Sequence, residues 1–74
     1  MRYEPDRCRL RELYAETGIN QRMVHIITGI SESQLSEYAS NHTRMGLGTA
    51  VTIARALKLP SCEMLYTWKV SDKK

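Results

Sequence analysis

Hydrogen-bonding side chains crowd into one short stretch of this chain: Glu32, Ser33, Gln34, Ser36 and Glu37, interrupted only by Leu35. A carboxylate accepts, a carboxamide donates and accepts, and a serine hydroxyl does either. On the first turns of a helix that set matches the edges of base pairs in a DNA major groove. Glu32 and Glu37 can accept from a cytosine amino group, and Gln34 can pair with adenine if it turns inward. Ser33 and Ser36 are small enough for close approach. The same residues build no catalytic constellation. His25 and His42 have no Ser or Cys partner at a motif spacing, and no glycine-rich loop joins a strand to a helix. An enzyme, a cofactor and a small-molecule substrate are therefore not expected. Cys8 and Cys62 stand at opposite ends with no metal-ligand spacing, so no metal is expected, and both read as free thiols in a cytosolic setting.

Positioning these groups falls to residues 21–40, QRMVHIITGISESQLSEYAS, which read as two short helices and a tight turn. Gly29 can take the left-handed conformation that ends the first helix. Ser31 and Gln34 form a capping box that starts the second, over residues 32–40. Val24, Ile30, Leu35 and Tyr38 fall on one apolar seam between the two. The arrangement is a helix-turn-helix. Asn20 caps its first helix, and Gln21 and Arg22 lie at that helix's N-terminus, where amides and dipole favour a phosphate.

Before this unit, Tyr3-Glu4-Pro5-Asp6 reads as the lead into a helix capped near Asp6, with Leu10, Leu13, Tyr14 and Thr17 at helical spacing and Gly18 as the stop. Arg7, Arg9 and Arg11 read as a solvated face; those nearest the N-terminus also lie within reach of a phosphate. After it come a polar loop over residues 41–46 and a fourth helix striped by Leu47, Ala50, Val51, Ala54 and Leu57, stopped by Lys58 and Pro60. Residues 61–66 read as a short fifth helix, and residues 71–74 as a fraying end. No strand-period segment and no internal repeat is read. The expectation is an all-α domain of five helices spanning residues 1–74.

A chain of 74 residues makes one small domain and leaves no room for a catalytic domain beside a binding one. With 42% hydrophobic residues it is globular. No apolar run approaches membrane-spanning length, no signal-peptide core follows the charged start, and Met1 reads as a natural start, so the expectation is a cytoplasmic protein with no membrane partner. A net charge of +3 permits a polyanionic partner without demanding one. Small size also favours a homodimer. The segment at about residues 61–70 would supply either the interface or the closure of the core, through Met64, Tyr66, Trp68 and Val70.

These elements in order resemble the lambda-repressor/Cro-type (Xre) helix-turn-helix family. The resemblance runs from Leu10 to Leu65, through Gly18-Ile19-Asn20-Gln21, Gly29-Ile30-Ser31, Ser33-x-Leu35-Ser36 and LGTAVTIARAL with Leu59, Met64 and Leu65. It implies a compact lambda-repressor-like fold and a DNA-binding transcriptional regulator, typically a dimeric repressor on a pseudo-palindromic operator in double-stranded DNA. The chain is similar to repressors of phages, mobile elements and restriction-modification systems. The family's loop after the recognition helix touches phosphate, which implicates Asn41, His42, Thr43 and Arg44. Arg44 is the leading candidate for affinity, as the only Lys or Arg between Arg22 and Arg55. Members often pair an Arg of the first helix with a Glu ending the recognition helix; here Tyr14 and Ala39 stand in those places, and Tyr14 is expected to pack over Ala39. His25 stands where the family prefers Ala and is expected to be a hydrogen-bonded structural histidine. Thr28 replaces a usual Leu. Glu32 and Glu37 place negative charge on the reading face, which raises an alternative of another class: an adaptor of antirepressor or antitoxin type that binds a regulatory protein partner.

Overall fold

Two helix ends in this chain are built alike. Thr17-Gly18-Ile19-Asn20 closes one helix and opens the next, and Thr28-Gly29-Ile30-Ser31 repeats the device. In a computed structural model, which describes residues 1–71, each glycine takes a left-handed φ, 75° and 80°, and its N–H donates back to a carbonyl, that of Tyr14 and of His25. Each threonine hydroxyl donates to the preceding turn, Thr17 to Leu13 O and Thr28 to Val24 O, both at 2.7 Å. Each also accepts from the isoleucine N–H, at 3.2 Å from Ile19 and 3.1 Å from Ile30. Both isoleucines then pack on the core. Asn20 Oδ1 accepts from Met23 N–H at 2.9 Å and Ser31 Oγ from Gln34 N–H at 3.1 Å, so each new helix starts with one of its orphan amides satisfied.

These stops delimit α1 (Leu10–Thr17), α2 (Gln21–Thr28) and α3 (Glu32–Ala39), followed by α4 (Leu47–Ala56). Just past the caps of α3 and α4, Asn41 and Lys58 take the left-handed region, at φ 64° and 59°. His42 N–H then reaches Glu37 O while Asn41 N–H reaches Tyr38 O, which is a Schellman closure. Leu10, Leu13, Val24, Leu35, Tyr38, Ile53, Leu57 and Leu65 fill the common core, with Tyr14 packed against its edge and Ala39 inside it. On α4 the buried residues are Ile53, Ala54 and Ala56, followed by Leu57 just past its end, so Leu47, expected on the apolar stripe, is 76% exposed and Val51 is exposed too.

The all-α, five-helix expectation is overturned at both ends of the chain. Residues 61–66 do not form an α-helix. Cys62–Leu65 make one turn of 3-10 helix, braced by Ser61 Oγ, which accepts from Glu63 N–H. Tyr66–Ser71 form a strand, β2, and Arg2–Cys8 form β1, its antiparallel partner. Among the described residues the fold is four α-helices and a two-stranded ribbon. Asp6, expected as a helix cap, is instead the extra residue of a bulge between Pro5 and Arg7, and α1 starts after Arg9. Ser71, expected to fray, pairs with Arg2; residues 72–74 of that expected frayed end lie outside the described residues. The physical reason is in the side chains. Tyr66, Thr67, Trp68 and Val70 are β-branched or aromatic, and Tyr66, Trp68 and Val70 alternate onto one face. Pro5 lacks an N–H, which a strand with an open edge tolerates. Arg9 N–H donates to Leu65 O at 2.7 Å and locks the ribbon to the helical body at its base.

Candidate nucleic-acid interface

α3 is positioned from below by Leu35, Tyr38 and Ala39, all buried, and its opposite face is open. Glu32, Ser33, Ser36 and Glu37 are exposed and line a shallow cleft with Ser40 and His42. Gln34 is half-buried at the margin of that face, its backbone N–H held by Ser31. The five side chains nominated for base contact are therefore together on one helix, four of them in one cleft.

Two side chains fix the start of α3. His25 Nδ1 lies 2.7 Å from Ile30 O. A carbonyl only accepts, so Nδ1 carries the proton, and the imidazole ties α2 to the far side of the turn. Gln21 Nε2 donates to Glu32 O at 3.3 Å, which links the first turn of α2 to the first turn of α3. Gln21, nominated for phosphate, thus also braces the start of α3, while Arg22 beside it is exposed.

The loop after α3 divides its residues between inward and outward tasks. Asn41 Oδ1 accepts from Cys8 N–H at 2.8 Å, so this nominated phosphate ligand ties the end of α3 to the end of β1. Thr43 Oγ1 donates to Glu37 Oε1 at 3.4 Å, joining a nominated phosphate contact to a nominated base contact. His42 and Arg44 are exposed. Met45 N–H donates to Tyr66 Oη at 3.2 Å and pins the far end of the loop to β2. Burial pushes the Tyr66 phenol up, against the Met45 hydrogen bond and the nearby Arg44 charge, which pull it down.

At this same C-terminal end of α3, an arginine that the sequence placed on a solvated face comes into contact with the C-cap residue. Arg11 of α1 donates through Nη2 to Ser40 Oγ at 3.3 Å. Arg7 and Arg9 are held instead by carboxylates: Arg7 Nη1 lies 3.1 Å from Glu12, and Arg9 lies 3.6 Å from Glu12 and 3.2 Å from Glu16. The contact of Arg11 joins residues 29 positions apart and had no local signal beyond the charge itself.

The nominated interface residues of the tail separate as well. Tyr66 and Met64 are half-buried against the body, whereas Trp68 and Val70 are 44% and 52% exposed. Trp68 Nε1–H donates to Glu63 O at 2.8 Å, so one edge of the indole is anchored and the rest lies open. The register sets Tyr3 opposite Val70 and Pro5 opposite Trp68, which places Tyr3 on the same apolar face. No helix among the described residues is long and apolar enough to cross a membrane.

A profile of the family described as the Cro/C1-type HTH DNA-binding domain matches residues 9–65. That span covers α1 to the 3-10 turn and stops at the base of the ribbon, with β1 and β2 outside it. No curated protein matches the chain.

Proposed function

The chain belongs to the Cro/C1-type helix-turn-helix DNA-binding family, and on that footing we propose that it is a sequence-specific transcriptional regulator that lays α3 in the major groove of double-stranded DNA. The observation that carries this reading is the combination of rigid support and open polar chemistry in one helix. α3 is buried along Leu35, Tyr38 and Ala39, tied at its start by His25 and Gln21, and open along Glu32, Ser33, Ser36 and Glu37. Those four side chains, with Gln34 beside them, read base edges. Gln21, Arg22, Asn41, His42, Thr43 and Arg44 hold backbone phosphates on either side.

The regulator acts in the cytoplasm as a homodimer, with two α3 helices about 34 Å apart on a pseudo-palindrome. The exposed ribbon face of Tyr3, Trp68 and Val70 supports a pairing surface there, with Met64 and Tyr66 behind it. Repression follows from covering promoter elements, as in a small phage or mobile-element regulator. The carboxylates of Glu32 and Glu37 favour one other reading, an adaptor that meets a regulatory protein through this acidic face.

Titration of the DNA upstream of the gene at two salt concentrations, with Arg44→Ala and Glu32→Ala alongside, separates the two. Selective binding that falls steeply with salt is expected, weakened on every fragment by Arg44→Ala and relaxed in selectivity by Glu32→Ala. Absence of binding above the non-specific level at low salt would refute groove reading and leave the adaptor.

A further inference from the structure

α3 carries Glu32 and Glu37 and no Lys or Arg. A polyanion brought against it is repelled unless positive charge is supplied from another element. Arg11 supplies it. Its guanidinium crosses from α1 to Ser40, the residue that ends α3, at 3.3 Å. Ser40 borders two hollows at once. One is the cleft over the reading face of α3. The other is a notch of about 330 Å³ between β1, α1 and the end of α3, lined by Arg7, Arg11, Glu12 and Asn41 among others. The base-facing surface therefore adjoins a basic notch at Ser40.

Charge within the notch is unevenly compensated. Glu12 is engaged by Arg7 and Arg9. Among the described residues Arg11 meets only a neutral hydroxyl, so its charge is available to an external anion. Ser40 accepts from Arg11 and keeps its own proton to donate. The end of a helix ordinarily repels an anion, but here His42 N–H and Asn41 N–H satisfy the carbonyls of Glu37 and Tyr38. The bonded Ser40 hydroxyl holds the guanidinium in place before any ligand arrives.

We infer that this notch seats a phosphate of the DNA backbone, gripped by Arg11 and Ser40 with Arg7 at its rim; the inference rests on the DNA-binding reading above. The contact carries no sequence information. It fixes the depth of α3 in the groove and offsets Glu32 and Glu37, which are then free to discriminate between bases.

The test uses Arg11→Gln, Arg11→Lys and Ser40→Ala, with Arg55→Gln on the exposed side of α4 as reference. Each is titrated with a random-sequence duplex and with the upstream DNA over a series of salt concentrations, after its melting temperature is shown to match the wild type. Arg11→Gln is expected to reduce the slope of log affinity against log salt by about 1, and to weaken both duplexes by the same factor, roughly five- to tenfold near 0.1 M salt. Arg11→Lys keeps most of the slope, Ser40→Ala gives a smaller uniform loss, and Arg55→Gln changes nothing. An unchanged slope for Arg11→Gln, in a wild type that binds, would overturn the seat and leave the DNA-binding reading standing. So would a loss of discrimination in place of uniform weakening. If the wild type binds neither duplex at low salt, both readings fall together.

Discussion

Tyr14 shows how one side chain departs from its neighbours' logic. It stands where the family resemblance leads one to expect an Arg, and its phenol oxygen is buried with no hydrogen-bond partner among the described residues. Burial, with a smaller contribution from Cys8, pushes the phenol up to about 12. The phenol therefore stays neutral in the folded chain while the unfolded chain releases its proton near pH 10. Below that pH the phenol is neutral in both states and gives stability no dependence on pH; between about pH 10 and 12 stability falls, because the unfolded state holds fewer protons. Tyr14→Phe should flatten this alkaline decline and raise stability by about 1 kcal/mol at neutral pH, since an orphaned polar atom leaves the core edge. Denaturant melts at pH 7 and pH 11 check both; equal alkaline loss in wild type and variant would refute the assignment. Asn41 makes the complementary point. Its left-handed backbone is a local preference of asparagine, legible in sequence, but its bond to Cys8 spans 33 positions and is not.

At the scale of elements, the twin Thr-Gly-Ile-cap turns explain why three short helices of 8 residues each hold their boundaries. Helices this short are marginal alone, so the caps and stops matter more than propensity. The second turn has an added duty, because it aims α3. Thr17→Val and Thr28→Val remove the same pair of hydrogen bonds, and each should lower stability by about 1 kcal/mol. Their consequences for DNA should differ. Well below the melting temperature, Thr28→Val should relax selectivity between duplexes, while Thr17→Val should leave it intact. Equal effects of the two on selectivity would mean that the turn does not aim the helix. Thr28, in the place of a usual leucine, thus has a reason: its hydroxyl closes the turn that His25 also bridges.

At the scale of the whole molecule, the ribbon is what distinguishes this chain from its helical core. β1 and β2 pair along their length and meet the helical body at their base, and the molecule measures 42 × 23 × 20 Å. The ribbon face that carries Cys8 and Tyr66 into the core continues outward through Trp68, Val70 and Tyr3, which are exposed. A specific pairing of two copies over this face needs roughly 1,000 Å² or more of buried surface. Val70→Glu lies outside the core and should convert a dimer to a folded monomer by sedimentation, with DNA affinity reduced to that of a single half-site. A dimer that persists in this variant would place the interface elsewhere.

What the sequence determined by itself is local. The helix-turn-helix follows from Gly29, Ser31 and the apolar seam, because caps, left-handed glycines and helical periodicity act within a few residues. The grouping of Glu32, Ser33, Ser36 and Glu37 on one exposed face follows from the same periodicity. Tertiary structure decided the rest. A strand has no internal hydrogen bonds, so residues 66–70 could become one only by finding β1, 60 positions away at the Arg7–Thr67 pairing, and the bulge at Asp6 hides the alternation of that partner. Arg11 likewise becomes a candidate phosphate ligand only because packing of α1 against α3 sets its guanidinium beside Ser40. Backbone pairing and charge placement across such separations depend on how the elements pack, which no short window of residues specifies.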